Sequence, residues 1–176
     1  IVKLDDTAYF TVNSNKDKAE IDEALASRRE QWMLECISAG GKLGQGLEAL
    51  RRCLLWNKYY DFVNGRVVTP VSRNWCRRTS MGYFGDYVNF GWDTFFAGLQ
   101  YGLIDKRLAY ATVFNILEEA TENGMIPNAG CGGGVTRDRS EPQVGALCVW
   151  KLYVQFGDAW FVEECFDRLL AWNNWR

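Results

Sequence analysis

Histidine is absent from this chain of 176 residues. Without an imidazole, the chain cannot assemble a Ser-His-Asp or Cys-His nucleophilic system, and it cannot bind a metal through histidine ligands. The side chains left for chemistry are carboxylates, tyrosine, lysine and arginine. We therefore expect any catalysis by this sequence to depend on carboxylates.

Other absences exclude several classes of protein. No apolar run approaches the roughly 20 residues that cross a bilayer, and no N-terminal pattern marks a signal peptide. The basic residues are scattered and the formal net charge is −2, so the sequence lacks the electrostatic footprint of a nucleic-acid-binding protein. The six cysteines form no C-x-x-C pair, which predicts reduced and mostly buried thiols. We expect no metal, no cofactor, no nucleic-acid partner and no membrane segment.

The composition that remains is typical of a globular domain. With 48% apolar residues and 15% aromatics, the chain can bury a substantial core within one domain spanning residues 1–176. The sequence starts at Ile1 instead of Met, and it stops at Arg176 inside an amphipathic pattern that has no stop signal. We interpret the chain as a fragment. Its compartment stays open, with the cytoplasm slightly favoured.

Apolar residues at helical spacing predict six helices and an all-α fold. The predicted segments are 17–38, 44–60, 92–103, 106–123, 142–156 and 158–175, with 66–68 as a short strand. Short links alternate with two long ones, 61–91 and 124–141, so successive helical hairpins should place their long loops at a common end. This rhythm predicts a partial (α/α)6 toroid of six helices in three hairpins.

The end of the second predicted helix carries a cluster of aromatic residues, Trp56-Asn57-Lys58-Tyr59-Tyr60. Aromatic faces stack on the apolar faces of sugar rings and an amide binds hydroxyl groups. Trp56, Asn57 and Tyr59 therefore suit a carbohydrate pocket. The pattern also fits an ordinary helix end that faces the core, which is the commoner case.

Charged residues in the long loops are further candidates. In the first loop, Arg73 and Asp86 form either a structural ion pair or polar contacts to substrate hydroxyls, and their loop position favours function. The second loop is rich in glycine but lacks the Gly-Lys-Ser/Thr sequence of a phosphate loop. There, Ser140 or Glu141 before Pro142 has the pattern of an ordinary helix start.

One carboxylate lies among four aromatic residues where the first long loop becomes a helix. The sequence there is Phe90-Gly91-Trp92-Asp93-Thr94-Phe95-Phe96. A carboxyl group among rings would be partly desolvated, which favours its protonated form near neutral pH. Asp93 is then a candidate general acid. Alternatively, it is an ordinary N-cap, and these residues alone support the two interpretations evenly.

Several motifs in order carry a family resemblance. They read WNKYYD, GRVVTPVSRNW, GYFGDYVNFGWDTFFAGL, GMIPN, DRSEPQVGALCVWKLY and LLAWNNW. From about Trp56 to its end, the chain resembles glycoside hydrolase family 63 and its mannosylglycerate-hydrolase-like relatives. The resemblance implies an (α/α)6 toroid and inverting hydrolysis of an α-glucosidic or α-mannosidic bond, with the WDT aspartate, Asp93, as general acid. Sugar-subsite positions that match the family are Trp56, Tyr59, Arg73, Trp75, Trp92 and Arg139.

This sequence departs from the family at Glu141. Relatives commonly read DRSQPP where this chain reads DRSEPQ, so a carboxylate replaces an amide. We expect Glu141 to affect substrate choice, or the protonation of Asp93 if the two groups lie close together.

Inverting hydrolysis also needs a base carboxylate about 6.5–9.5 Å from the acid. The family's base is a glutamate in the later half of the toroid, and no residue of this chain matches it. We therefore expect an acid-bearing fragment that is inactive alone, with a carbohydrate and the rest of its own domain as partners, and with apolar helix faces exposed. The competing hypothesis is a non-catalytic carbohydrate-binding or scaffold toroid. A toroidal sugar epimerase is disfavoured, because such enzymes generally rely on histidines.

Overall fold

The computed structural model describes residues 9, 11, 14–34, 40–61, 65–73, 87–131 and 134–175. The chain divides into two compact units, residues 1–37 and 38–176. Two of the predicted site residues, Trp75 and Asp86, lie outside the described residues, and Arg73 is described by its backbone alone. No helix within these ranges is long and apolar enough to span a bilayer.

The described part of the chain contains six α-helices and six short strands. The helices are α1 (Lys18–Leu34), α2 (Gly46–Trp56), α3 (Gly91–Tyr101), α4 (Lys106–Leu117), α5 (Gly145–Phe156) and α6 (Ala159–Asn174). The strands are β1 (Tyr59–Asp61), β2 (Arg66–Val68), β3 (Ser72–Arg73), β4 (Tyr87–Phe90), β5 (Ala129–Cys131) and β6 (Gly134–Val135). The molecule is mostly helical, as predicted, but the strands make the purely all-α prediction wrong.

The strands form two antiparallel sheets. One pairs β1 with β2, and the other has the order β3-β4-β5-β6. In the second sheet β4, from the first long loop, pairs with β5, from the second long loop, with Asn89 opposite Gly130 and Phe90 opposite Ala129. The two long loops therefore meet at a common end, as predicted. Strands of two to four residues are too short to show a period of two in the sequence.

Three predicted helix bounds are wrong. Tyr59 and Tyr60 belong to β1 because α2 ends at Trp56 and the chain turns into a hairpin. Pro142 is not the first residue of α5, which begins at Gly145 with Val144 at its N-cap. In addition, α4 ends at Leu117, six residues before the predicted end.

The first unit contains α1, which begins with a reciprocal pair of capping bonds. The Glu20 amide donates to Asp17 Oδ1 at 3.0 Å, and the Asp17 amide donates to Glu20 Oε2 at 2.8 Å. Such a capping box stabilises a helix start by satisfying two free amides. The helix is confirmed, but its predicted apolar face is not covered in this unit, because Leu25 is 62% exposed.

The core of the second unit lies among α3, α4, α5 and α6. Consecutive helices pack as two hairpins, α3 with α4 and α5 with α6, and α3 also contacts α2 and α5. The Phe95 and Trp172 rings are fully buried and stack 5.7 Å apart, which joins α3 to α6. The third predicted hairpin would pair α1 with α2, which belong to different units.

Apolar side chains on the outer surface of α5 and α6 stay exposed to solvent. They are Leu147, Trp150, Val154, Trp160, Phe166 and Leu170. Between the two helices runs an apolar groove of about 300 Å³, which Trp150 and Phe166 border. The expected exposure of apolar helix faces is therefore observed.

Candidate active-site cleft

Asp93 lines an open cleft of about 420 Å³ between α2, α3 and the segment 69–71. The lining residues are Leu50, Cys53, Leu54, Asn57, Thr69, Pro70, Val71, Asp93, Phe96, Ala97, Gln100 and Tyr101. Polar side chains reach the cleft from two helices. Asn57 follows the end of α2, while Asp93 and Gln100 belong to α3. The fold thus brings together Asp93 and Asn57, two residues that the sequence predicted for the site.

Buried hydrogen bonds hold the walls of this cleft in place. The Tyr101 hydroxyl donates to the Leu54 carbonyl at 2.6 Å and fixes α3 against α2. The hydroxyl groups of Thr69 and Thr112 lie 2.5 Å apart and fix the 69–71 segment against α4. Because both bonds are buried, their polar atoms have no water to replace a lost partner. The cleft is therefore a preformed feature of the second unit.

The surroundings of Asp93 differ from the sequence prediction in two ways. Asp93 is the third residue of α3 and Phe90 is its N-cap, so the N-cap interpretation of Asp93 is wrong. The carboxylate is also exposed instead of partly desolvated. Of the neighbouring rings, Phe95 turns into the core and is fully buried.

Two other rings lie beside Asp93 on the exposed surface. Trp92 is 41% exposed and Phe96 is 39% exposed, with ring centroids 6.3 Å apart. Such rings offer apolar faces on which a sugar ring can stack. The exposed surface of α3 therefore combines a carboxylate, two aromatic rings and the amide of Gln100.

Glu141 reaches this turn of α3 from the second long loop. The Trp92 amide donates to Glu141 Oε2 at 2.8 Å. A Cβ atom added at Gly91 would lie 3.1 Å from that same oxygen and 3.1 Å from the Pro127 carbonyl, so a larger residue there would force a shift of a few tenths of an ångström. Burial raises the pKa of Glu141, the Trp92 amide lowers it, and the charge of Asp93 raises it further. The two carboxylates therefore interact electrostatically.

Trp92 and Glu141 do not themselves line the cleft, and neither do three other predicted site residues that the structure describes. Trp56 is 72% exposed at the end of α2. Tyr59 lies on β1 with its ring centroid 6.4 Å from that of Tyr87. Arg139 is exposed and pairs with its neighbour Asp138 at 2.7 Å.

Sequence reasoning missed Gln100 as a site residue. Its helical spacing from Asp93 was the available signal, because residues 93, 96, 97 and 100 recur on one face of a helix. All four line the cleft.

A second polar cluster, in which three carboxylates surround Arg66, lies away from the cleft lining. We call it the Arg66 cluster. Its members are Asp61, Arg66, Tyr87, Asn89, Glu118 and Glu119. The guanidinium of Arg66 pairs with Glu118, and it lies 3.7 Å from Glu119 Oε1 and 3.9 Å from Asp61 Oδ2. Burial raises the pKa of Glu119 to about 7, against the opposing charge of Arg66. No sequence pattern marked this cluster.

The described residues contain no group of acidic or cysteine side chains arranged to hold a metal ion. Comparisons with known protein families, with curated proteins and with solved structures found no match to this chain. The resemblance noted above therefore rests on its motifs alone.

Proposed function

We propose that this chain is the acid-bearing part of an inverting glycoside hydrolase that cleaves α-glucosidic or α-mannosidic bonds, within an α/α toroid. The observation that carries the proposal is the open cleft at the start of α3. Asp93 lies there beside the exposed rings of Trp92 and Phe96 and the amides of Asn57 and Gln100. A carboxyl group, stacking surfaces and amides are the groups that a glycosidase needs around a sugar.

In the proposed reaction, Asp93 donates a proton to the glycosidic oxygen as the bond to the leaving group breaks. A second carboxylate removes a proton from water on the opposite face of the sugar, about 6.5–9.5 Å away. Asp93 is exposed to solvent in the cleft, so a bound saccharide would be what excludes water from it.

Glu141 does not suit the role of base. Its Oε2 accepts the Trp92 amide, and this places it at the start of the same helix turn as Asp93 instead of across the cleft. We therefore propose that the base is supplied from outside these 176 residues.

Replacement of Asp93 tests the proposal in the intact protein that contains this chain. Asp93→Asn should lower the hydrolysis of 4-nitrophenyl α-glucoside or α-mannoside by about 10²–10⁴-fold, because a positioned general acid contributes that much. Asp22→Asn, the same change at an exposed helical position of the first unit, serves as control. NMR of the first-formed sugar should show the β-anomer. Full activity of Asp93→Asn would refute the assignment, and the 176-residue chain alone should be inactive.

The exposure of Asp93 also favours a second candidate, a non-catalytic carbohydrate-binding protein. An exposed carboxylate accepts hydrogen bonds from sugar hydroxyls without holding a proton. Calorimetric binding of maltose or an α-mannobiose by the intact protein, with no hydrolysis over days, would support this alternative. Turnover that is lost in Asp93→Asn would exclude it.

A further inference from the structure

The start of α3 has no cap from its own sequence. Its N-cap residue is Phe90, which offers no side-chain acceptor. The first amides of a helix lack partners within the helix, so they need acceptors from elsewhere. For the first two amides of α3, the acceptors come from the second long loop. The Gly91 amide donates to the Asn128 carbonyl at 3.0 Å, and the Trp92 amide donates to Glu141 at 2.8 Å.

Hydrogen bonds hold the two residues before Glu141, Arg139 and Ser140, in place. The Ser140 hydroxyl donates to the Ile126 carbonyl at 2.5 Å and accepts from the Trp172 indole at 2.8 Å. Trp172 is itself buried in the core. The Arg139 carbonyl accepts the Asn128 amide at 3.1 Å, which closes the loop on itself. These bonds place the Glu141 carboxylate at a fixed point beside α3.

The position of Glu141 suits a charged cap. A carboxylate at a helix N-terminus is stabilised by the partial positive charge of the free amides. The absence of a Cβ at Gly91 leaves room for the carboxylate oxygen against the backbone. The Glu141 carboxylate thus accepts a helix-start amide hydrogen bond that the Phe90 side chain at the N-cap cannot accept.

We propose that Glu141 is the positioning residue for Asp93. By accepting the Trp92 amide, Glu141 fixes the first turn of α3 and so fixes the direction in which the Asp93 side chain enters the cleft. The importance of this role for catalysis rests on the function proposed above, whereas the capping itself does not.

Amide exchange in the 176-residue chain tests the capping. NMR-detected exchange of the Trp92 amide should quicken about tenfold in Glu141→Ala, in line with the usual loss on removing an N-cap. Glu141→Gln keeps an oxygen acceptor and should stay within about threefold of wild type. Glu163→Ala, at an exposed position on α6, is the matched control. Unchanged Trp92 exchange in Glu141→Ala would overturn the proposal.

A second variant distinguishes loss of the capping bond from loss of the fold. Glu141→Asp retains the charge but shortens the side chain by one methylene, so its carboxylate should fall short of the Trp92 amide. We expect faster Trp92 exchange in Glu141→Asp with the Tyr110 amide, in the middle of α4, as protected as in wild type. Wild-type exchange at Trp92 in this variant would count against the proposal.

Hydrolysis by the intact protein tests the catalytic consequence. Glu141→Ala should lower kcat by about 10–100-fold with KM within about threefold, because a misplaced acid affects the chemical step more than binding. Glu141→Gln should recover most of kcat. If Asp93→Asn abolishes hydrolysis but Glu141→Ala leaves kcat unchanged, the positioning role fails. If Asp93→Asn is fully active while the exchange results hold, the proposed function fails and the cap stands.

Discussion

Two groups of carboxylates in the second unit differ in burial. Asp93 is exposed at an open cleft, and Glu141 beside it is half-buried. In the Arg66 cluster, the Glu119 side chain is only 9% exposed and lies among β2, β4 and α4. The carboxyl group with the larger pKa shift, Glu119, is thus the more enclosed one and does not line the cleft. Desolvation alone does not mark a catalytic acid, because an interior ion-pair cluster shifts pKa values in the same way.

Among the described residues, the Arg66 cluster holds more negative than positive charge. One guanidinium faces three carboxylates, those of Asp61, Glu118 and Glu119. The Tyr87 hydroxyl offsets part of this imbalance by donating to Asp61 Oδ2 at 3.0 Å. The Glu119 side chain is only 9% exposed, and this burial raises its pKa to about 7. We assign this cluster a structural role that joins α4 to the two sheets.

The largest expected difference between the two groups is in activity. In the intact protein, Asp93→Asn should lower hydrolysis by about 10²–10⁴-fold, whereas Glu119→Gln should stay within about fivefold of wild type. The reason is that Glu119 is largely buried and does not line the cleft that holds Asp93. Comparable losses from both substitutions, measured as kcat/KM on the same 4-nitrophenyl glycoside, would show that the Arg66 cluster takes part in the chemistry.

The next effect is on stability, since a glycine lies against the carboxylate in each group. A Cβ at Gly130 would lie 2.7 Å from Glu119 Oε2, closer than the 3.1 Å between a Cβ at Gly91 and Glu141 Oε2. Gly130→Ala should therefore lower the free energy of unfolding by about 1–3 kcal/mol. Urea unfolding measures this, with Gly46→Ala as a control because a Cβ there meets nothing within 4 Å.

A double-mutant cycle can locate the source of the Gly130→Ala penalty. If it arises from displacement of Glu119, the penalty should shrink by half or more in a Glu119→Ala background. An equal penalty in both backgrounds would show that the backbone of β5, and not the carboxylate, resists the change.

The pH dependence of stability should reflect Glu119. Its folded pKa is raised from 4.5 to about 7, so the folded chain binds more protons than the unfolded chain between these values. The free energy of unfolding should therefore fall as pH rises from about 4.5 to about 7, by up to about 3 kcal/mol. Glu119→Gln should flatten this slope in urea unfolding measured at several pH values. A slope that persists in Glu119→Gln would assign it to other groups.

The smallest expected effect is a difference in chemical reactivity among the cysteines. Cys53 is exposed and lines the cleft, whereas Cys148 and Cys165 are buried. Burial raises the pKa of Cys148 to about 11 and that of Cys165 to about 12. Since the thiolate is the reactive form, iodoacetamide at pH 8 should modify Cys53 in the native chain well before the other two. Peptide-resolved mass spectrometry checks the order, and early labelling of Cys165 would contradict the core described here.

Local patterns in the sequence predicted most of the helices. Apolar residues at helical spacing, namely Phe161, Cys165, Leu169 and Trp172, predicted α6; all are buried except Leu169, which is half-buried. The meeting of the long loops also followed from link lengths alone. Of the strands, only 66–68 was predicted, and it is confirmed as β2. The others were missed because they are short, with only two residues each in β3 and β6. The N-cap interpretation of Asp93 failed because the Trp92 amide is satisfied from 49 residues further along the chain.

The sequence by itself determined the supply of chemical groups and the helical periodicity. It contains no histidine, and it places a carboxylate and an amide, Asp93 and Gln100, on one face of a helix. Only the tertiary structure decided which carboxylate is exposed and which is buried. The sequence neighbours of Asp93 and Glu119 do not decide this, because burial depends on which distant strands and loops cover a side chain. That packing brings Gly130 and Arg66 to Glu119, brings Glu141 to Trp92 and leaves Asp93 open to solvent.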